Sequence, residues 1–125
     1  MALLDQKTLG PARLGFADEN DLDAFIDKLD QFEKGELAPD AWKAFRLVNG
    51  VYSQRQEGDA MMIRVKIPQG VLTAGQLRAL AGVAEKYSTG RGHITTRQNV
   101  QFHFVKLDDT GAALTALADA GLTTR

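Results

Sequence analysis

The chain has 125 residues, 44% hydrophobic and 25% charged, a composition that fits one globular domain and excludes a disordered or collagen-like chain. Fifteen Lys and Arg against sixteen Asp and Glu leave a formal net charge of -1, which argues against a protein that binds polyanions over its whole surface. No cysteine is present, so the chain offers no disulfide, no thiol nucleophile, no cysteine zinc site and no cysteine ligand to an iron–sulfur cluster. The apolar runs are too short to span a membrane, and the start, MALLDQKTLG, lacks the basic and hydrophobic regions of a secretory signal. A cytoplasmic setting is the expectation.

Charge is unevenly placed. Residues 18–40 are rich in Asp and Glu, and basic residues dominate from Arg46 to Lys106. In the acidic part Leu22, Phe25, Ile26, Leu29 and Phe32 recur at spacings of three and four, which predicts a helix. Asp18 or Asn20 caps its start and Gly35 follows its end. A second helix starts near Pro39 and carries Trp42 and Phe45 toward the core, and Asn49-Gly50 marks a turn. Val51 to Asp59 has no clear period and reads as a loop.

Beyond this loop the period changes. Met61, Ile63, Val65 and Ile67 alternate with Met62, Arg64 and Lys66, which predicts a strand ended by Pro68 and Gly70. Thr73 and Gln76 form a capping box for a helix with Leu77, Leu80, Ala81, Ala84 and Tyr87 on one face. His93–Arg97 and Val100–Leu107 read as strands around a turn, and Thr110 caps a last helix that ends at Gly121. The expected architecture is α+β, a β-α-β-β-α ferredoxin-like half-domain over 59–125 behind a helical segment over 1–58.

Alternation places Ile63, Val65, Ile94, Val100, Phe102 and Phe104 on the core side of the sheet. The opposite side collects Arg64, Lys66, His93, Thr95, Arg97, Gln101 and His103. A face of cations, imidazoles, a hydroxyl and an amide, with Thr96 beside it, suits an anion with several acceptor oxygens. The competing reading is an ordinary wet sheet face. Two histidines without a cysteine or carboxylate partner do not make a metal site, so no metal ligands are assigned. Gly90-Arg91-Gly92 is a basic turn. Ser53 and Ser88 have no evident His–Asp partners, and Asp108-Asp109 suit a helix N-terminus better than acid–base chemistry.

The stretch Met62–Phe104 resembles the ferredoxin-like half-domain of siroheme-dependent nitrite and sulfite reductases. The specific parts are RVKIPQG at 64–70 and HITTRQNVQFH at 93–103, with FRLVNGVYSQRQ at 45–56 as a similar lead-in. The resemblance implies an N-terminal part of an enzyme that reduces nitrite or sulfite by six electrons. Siroheme would be shared with the remainder of that enzyme. A 4Fe–4S cluster would be held by cysteines outside this chain, and a donor such as ferredoxin would supply electrons. By position, Arg64 would contact the substrate anion and serve as the catalytic candidate. His93, Thr95, Thr96, Arg97, Gln101 and His103 would surround the macrocycle and its carboxylates. Thr96 stands where some relatives have asparagine, and His93 where some have arginine.

Two other readings stay open. One is a small non-catalytic module that uses the basic face for RNA or another anionic ligand. It is disfavoured because Phe102 and Phe104 alternate toward the core, away from a stacking position. The other is a non-catalytic assembly or regulatory domain. No membrane partner is expected, and the isolated chain, holding one half-domain, is expected to pair as a homodimer.

Overall fold

The computed structural model describes residues 15–54 and 60–125. The helices are α1 (Glu19–Glu33), α2 (Pro39–Val48), α3 (Ala74–Tyr87) and α4 (Thr110–Asp119), and the strands are β1 (Val51–Ser53), β2 (Ala60–Lys66), β3 (His93–Ile94) and β4 (Asn99–Lys106). All strand pairs are antiparallel, in the spatial order β1-β2-β4-β3. From β2 onward the order is the expected β-α-β-β-α. Among the described residues no helix is long and apolar enough to cross a membrane.

Local chemistry sets most boundaries. The Asp18 carboxylate accepts the Asn20 N–H at 2.8 Å and opens α1. Pro39 occupies the first turn of α2, where its missing N–H costs no hydrogen bond. The capping box of α3 is complete: Thr73 Oγ1 accepts from the Gln76 N–H and Gln76 Oε1 accepts from the Thr73 N–H, each at 3.0 Å. Thr110 departs from its expected role. It lies inside α4 rather than at its cap, and its hydroxyl donates to the Leu107 carbonyl at 2.7 Å.

One apolar cluster joins all four helices to one face of the sheet. Phe25 and Leu29 of α1, Trp42 of α2, Leu80 and Val83 of α3, and Leu114 and Leu117 of α4 pack with Ile63, Val65, Val100, Phe102 and Val105. Phe25, Phe32 and Phe45 surround Trp42, with the nearest ring centroids 5.3 and 5.6 Å away. Arg46 is buried beside them and donates from Nη1 to the Val51 carbonyl at 3.2 Å, which ties α2 to the start of β1. Desolvation lowers the pKa of its guanidinium.

Five further expectations are corrected. Val51–Ser53 is a strand and not a loop, because Tyr52 and its neighbours pair with Met61–Ile63; the remainder of that segment, 55–59, lies outside the described residues. The strand at His93 ends at Ile94, since residues 96–97 already turn. The stripe of α3 is rotated: Val83 is buried and Leu77 is 60% exposed. Most informative are Ile94 and Phe104, which strict alternation places in the core and which are 80% and 45% exposed. Ile94 pairs with Val100 on the core side, but on a two-residue edge strand, where it overhangs an apolar groove with Leu72, Leu77 and Ala81. Phe104 is displaced by a bulge. Met61 pairs with Val105 and Ile63 with Phe102, so β4 places two residues, His103 and Phe104, opposite the single Met62. The extra residue resets the alternation, and Val105 takes the buried position that period two gives to Phe104.

Gly50 closes the other edge of the sheet. Its φ is +76°, and a Cβ there would lie 2.3 Å from the Thr124 carbonyl oxygen and 3.0 Å from that of Arg64. The Gly50 carbonyl accepts the Arg64 N–H at 2.9 Å, and the Thr123 carbonyl accepts the Lys66 N–H at 2.9 Å, so two separate segments complete the β2 edge.

Urea unfolding of three variants tests this packing. Phe102→Ala, which empties a site 1% exposed, is expected to cost about 3–5 kcal/mol. Phe104→Ala should cost under about 1 kcal/mol, as surface substitutions do. Gly50→Ala should cost at least about 1–3 kcal/mol through strain at positive φ. Equal losses for Phe102→Ala and Phe104→Ala would contradict the bulge.

Candidate anion-binding face

The face of the sheet opposite the core is built by strand register. Arg64 pairs with Gln101, and Gln101 pairs with His93, so these three side chains form one row across β2, β4 and β3. Two interstrand spacings separate its ends, about 10 Å. One step along the strands Lys66 pairs with Asn99, and in the other direction His103 continues the face of Gln101. Arg64 and Lys66 thus reach the same face from alternate positions of β2, two residues apart.

Two depressions flank this row. Arg64, Lys66, Ile67, Pro68, Arg97, Gln98 and Asn99 line the first, in a volume of about 310 Å³. Thr89, Arg91, Gly92, His93, His103 and Phe104 line the second, of about 480 Å³. Neither has a carboxylate in its lining among the described residues. Three guanidinium or ammonium groups with no counter-ion among the described residues favour an anionic occupant.

The side chains are held in different ways. The Arg64 guanidinium lies over the Tyr52 ring, 5.1 Å from its centroid, a cation–π contact that limits its motion. Arg97 is exposed on the turn between β3 and β4. That turn is tied by Thr95, whose hydroxyl donates to Asn99 Oδ1 at 2.7 Å and accepts the Arg97 N–H at 3.2 Å. Thr95 is thereby committed to shaping the turn, and Thr96 is exposed within it. Gln98 completes the turn with φ +58°. The His93 and His103 rings are 6.2 Å apart between centroids. Gly92 has no room for a Cβ, which would lie 2.9 Å from Val100 Cγ1, so the chain hugs β4 and carries His93 over the sheet.

The structure therefore gathers Arg64, Lys66 and Arg97 around one depression and His93 and His103 around the other, with Gln101 between them. Three residues escaped sequence reasoning. Gln98 carries its role in its backbone conformation. Tyr52 and Gln54 stood in a segment read as a loop; only recognition of β1 as a strand places Tyr52 beside Met62 and on the same face as Arg64. Among the described residues no group of three or more His, Asp or Glu side chains is placed to hold a metal ion.

The family model "Nitrite/Sulfite reductase ferredoxin-like half domain" matches residues 52–120, more than half of the chain. Ferredoxin–nitrite reductase of Leptolyngbya laminosa is 40% identical over 75 residues, covering 59% of this chain and 15% of that protein. The assimilatory ferredoxin-dependent nitrite reductase of Haloferax mediterranei is 36% identical over 120 residues, covering 82% of this chain and 20% of its own. The sulfite reductase (NADPH) hemoprotein beta-component of Anoxybacillus flavithermus is 46% identical over 63 residues, 50% of this chain and 11% of that one. Among solved structures, the Mycobacterium tuberculosis NirA protein superposes with a TM-score of 0.64 over 93% of this chain and 26% of that chain, at 24% identity, a likeness of fold. The chain spans a fifth or less of the length of these curated relatives. By sequence and by fold, it belongs to the nitrite/sulfite reductase ferredoxin-like half-domain family.

Proposed function

We propose that this chain is the siroheme- and anion-facing half-domain of a nitrite or sulfite reductase. The observation that carries the reading is the depression, with no carboxylate among its described lining residues, in which Arg64, Lys66 and Arg97 converge beside the row of Gln101 and His93. The donor set suits a macrocycle edged with carboxylates and a small oxyanion above it, because guanidinium forks bind both kinds of oxygen. Siroheme, when bound, supplies the redox chemistry of a six-electron reduction. Arg64 holds the substrate oxyanion and offsets charge as its bonds to oxygen break. Arg97, Gln101, His93 and His103 bind the carboxylates of the macrocycle, with Thr96 at its margin. Thr95 acts through the turn that presents Arg97. A 4Fe–4S cluster, on this reading, is held by other parts of the enzyme, since this chain has no cysteine. Relatives named ferredoxin–nitrite reductase make ferredoxin the natural donor.

Replacement within a full-length reductase carrying this half-domain tests the assignment. Arg64→Ala should lower kcat/KM for nitrite or sulfite by about 10–100-fold, the loss of one charge-assisted contact of about 1.5–3 kcal/mol, with siroheme content retained. Arg97→Ala should lower siroheme content, read from the absorbance of the purified protein. Unchanged kcat/KM for both anions in Arg64→Ala would contradict the role of Arg64.

A second reading draws on Phe104. The expectation that this ring faces the core was one argument against an RNA-binding module, and the ring is in fact exposed beside His103, 6.5 Å between centroids. Tight, salt-sensitive RNA binding by the chain in the absence of siroheme would favour that module.

A further inference from the structure

The bulge in β4 is clamped by a side chain that the functional reading does not use. Phe104 adopts φ +58°, a left-handed conformation unfavourable for a bulky residue. Its N–H donates to Gln54 Oε1. The other end of the same amide, Gln54 Nε2, lies 3.1 Å from His103 Nδ1. Gln54 is itself anchored, since its own N–H donates to the Ala60 carbonyl at 3.0 Å where β1 and β2 meet. Ser88 Oγ donates to the His103 carbonyl at 2.6 Å and fixes the backbone from the side of α3.

These contacts determine where protons lie. A backbone N–H only donates, so the Gln54 atom facing Phe104 is the amide oxygen. The atom facing His103 is then the NH2 group, which only donates, and His103 Nδ1 must accept. A neutral imidazole that accepts at Nδ1 carries its proton on Nε2. No described residue takes up that Nε2–H, and the ring lines the depression it shares with His93 and Arg91.

We infer that Gln54 is a positioning residue that locks His103 as the Nε2–H tautomer, so that His103 meets the ligand of this face as a hydrogen-bond donor and never as an acceptor. The bulge makes this possible. By adding a residue after His103, it turns the Phe104 N–H toward Gln54 and leaves one amide to bridge backbone and ring. A donor at His103 agrees in sign with Arg64, Arg97 and Gln101, and it discriminates against ligands that present N–H or O–H groups there. The part of the inference that concerns the ligand rests on the proposed anion-binding role. The tautomer does not.

The test uses the 125-residue chain labelled with 15N. Long-range 1H–15N spectra of the imidazoles, taken well above the ordinary imidazole pKa of about 6.5, report which nitrogen is protonated, and the His103 signals are those lost in His103→Gln. The expected result is a proton on Nε2 of His103. In Gln54→Glu both side-chain oxygens accept, so the Phe104 contact survives and the proton should move to Nδ1. In Gln54→Leu the bias should disappear, giving both tautomers. If Gln54→Leu does not fold, Gln54→Glu and the wild-type spectrum still decide the question. A wild-type proton on Nδ1, or a Nε2–H pattern unchanged in Gln54→Glu, would overturn the inference. The Arg64→Ala kinetics in the full-length reductase separate the two claims: a Nε2–H tautomer with unchanged kcat/KM in Arg64→Ala upholds Gln54 and counts against the anion reading.

Discussion

Between β2 and β4 a single antiparallel register decides what each face of the molecule presents. With Ile63 opposite Phe102 and Val65 opposite Val100, the apolar side chains point together at the helices. The same register sets Arg64 opposite Gln101 and Lys66 opposite Asn99, pointing the other way. A shift of one residue would exchange the two faces, burying the cations and exposing the core. The burial of Ile63, Val65 and Phe102 and the alignment of Arg64 with Gln101 and His93 are therefore one constraint seen from two sides. The site is held in place by the free energy of the core.

The bulge at His103 and Phe104 is the local exception that refines this arrangement. It ends strict alternation after Phe102, keeps Val105 in the core, and exposes Phe104. A left-handed Phe costs stability locally, about 1–2 kcal/mol by backbone sterics. That cost is offset by the Gln54 bridge to both the backbone and His103. Strain, an otherwise unpaired N–H and an oriented imidazole thus occur at one place.

Much of this was legible in the amino-acid sequence, for identifiable reasons. The capping box at Thr73 and Gln76, Pro39 at a helix start and the stripe carrying Phe25 and Leu29 are local signals that depend on neighbours three or four residues away. The row of Arg64, Gln101 and His93 was visible as residue types on one side of three strands. Its geometry depended on register, which no local pattern specifies. Phe104, Ile94, Leu77 and β1 were misread because their fates depend on distant partners. A bulge is defined by the opposing strand, an edge position by the absence of a neighbour, and a three-residue strand such as β1 by the β2 backbone beside it. Gln54 gave no signal at all, since a glutamine beyond a short strand gains meaning only through contacts about fifty residues away in sequence.

On the proposed reading, the side of the sheet that carries Arg64, Lys66 and Arg97 receives an anionic macrocycle and its oxyanion. Backbone amide shifts of the 15N-labelled chain, followed while siroheme is added, test this most directly. The account predicts that the largest changes fall on Arg64, Lys66, Arg97, Gln101 and His103, with the outward faces of α1 and α4 unmoved. Changes concentrated on the helices, with these strand residues unmoved, would contradict it.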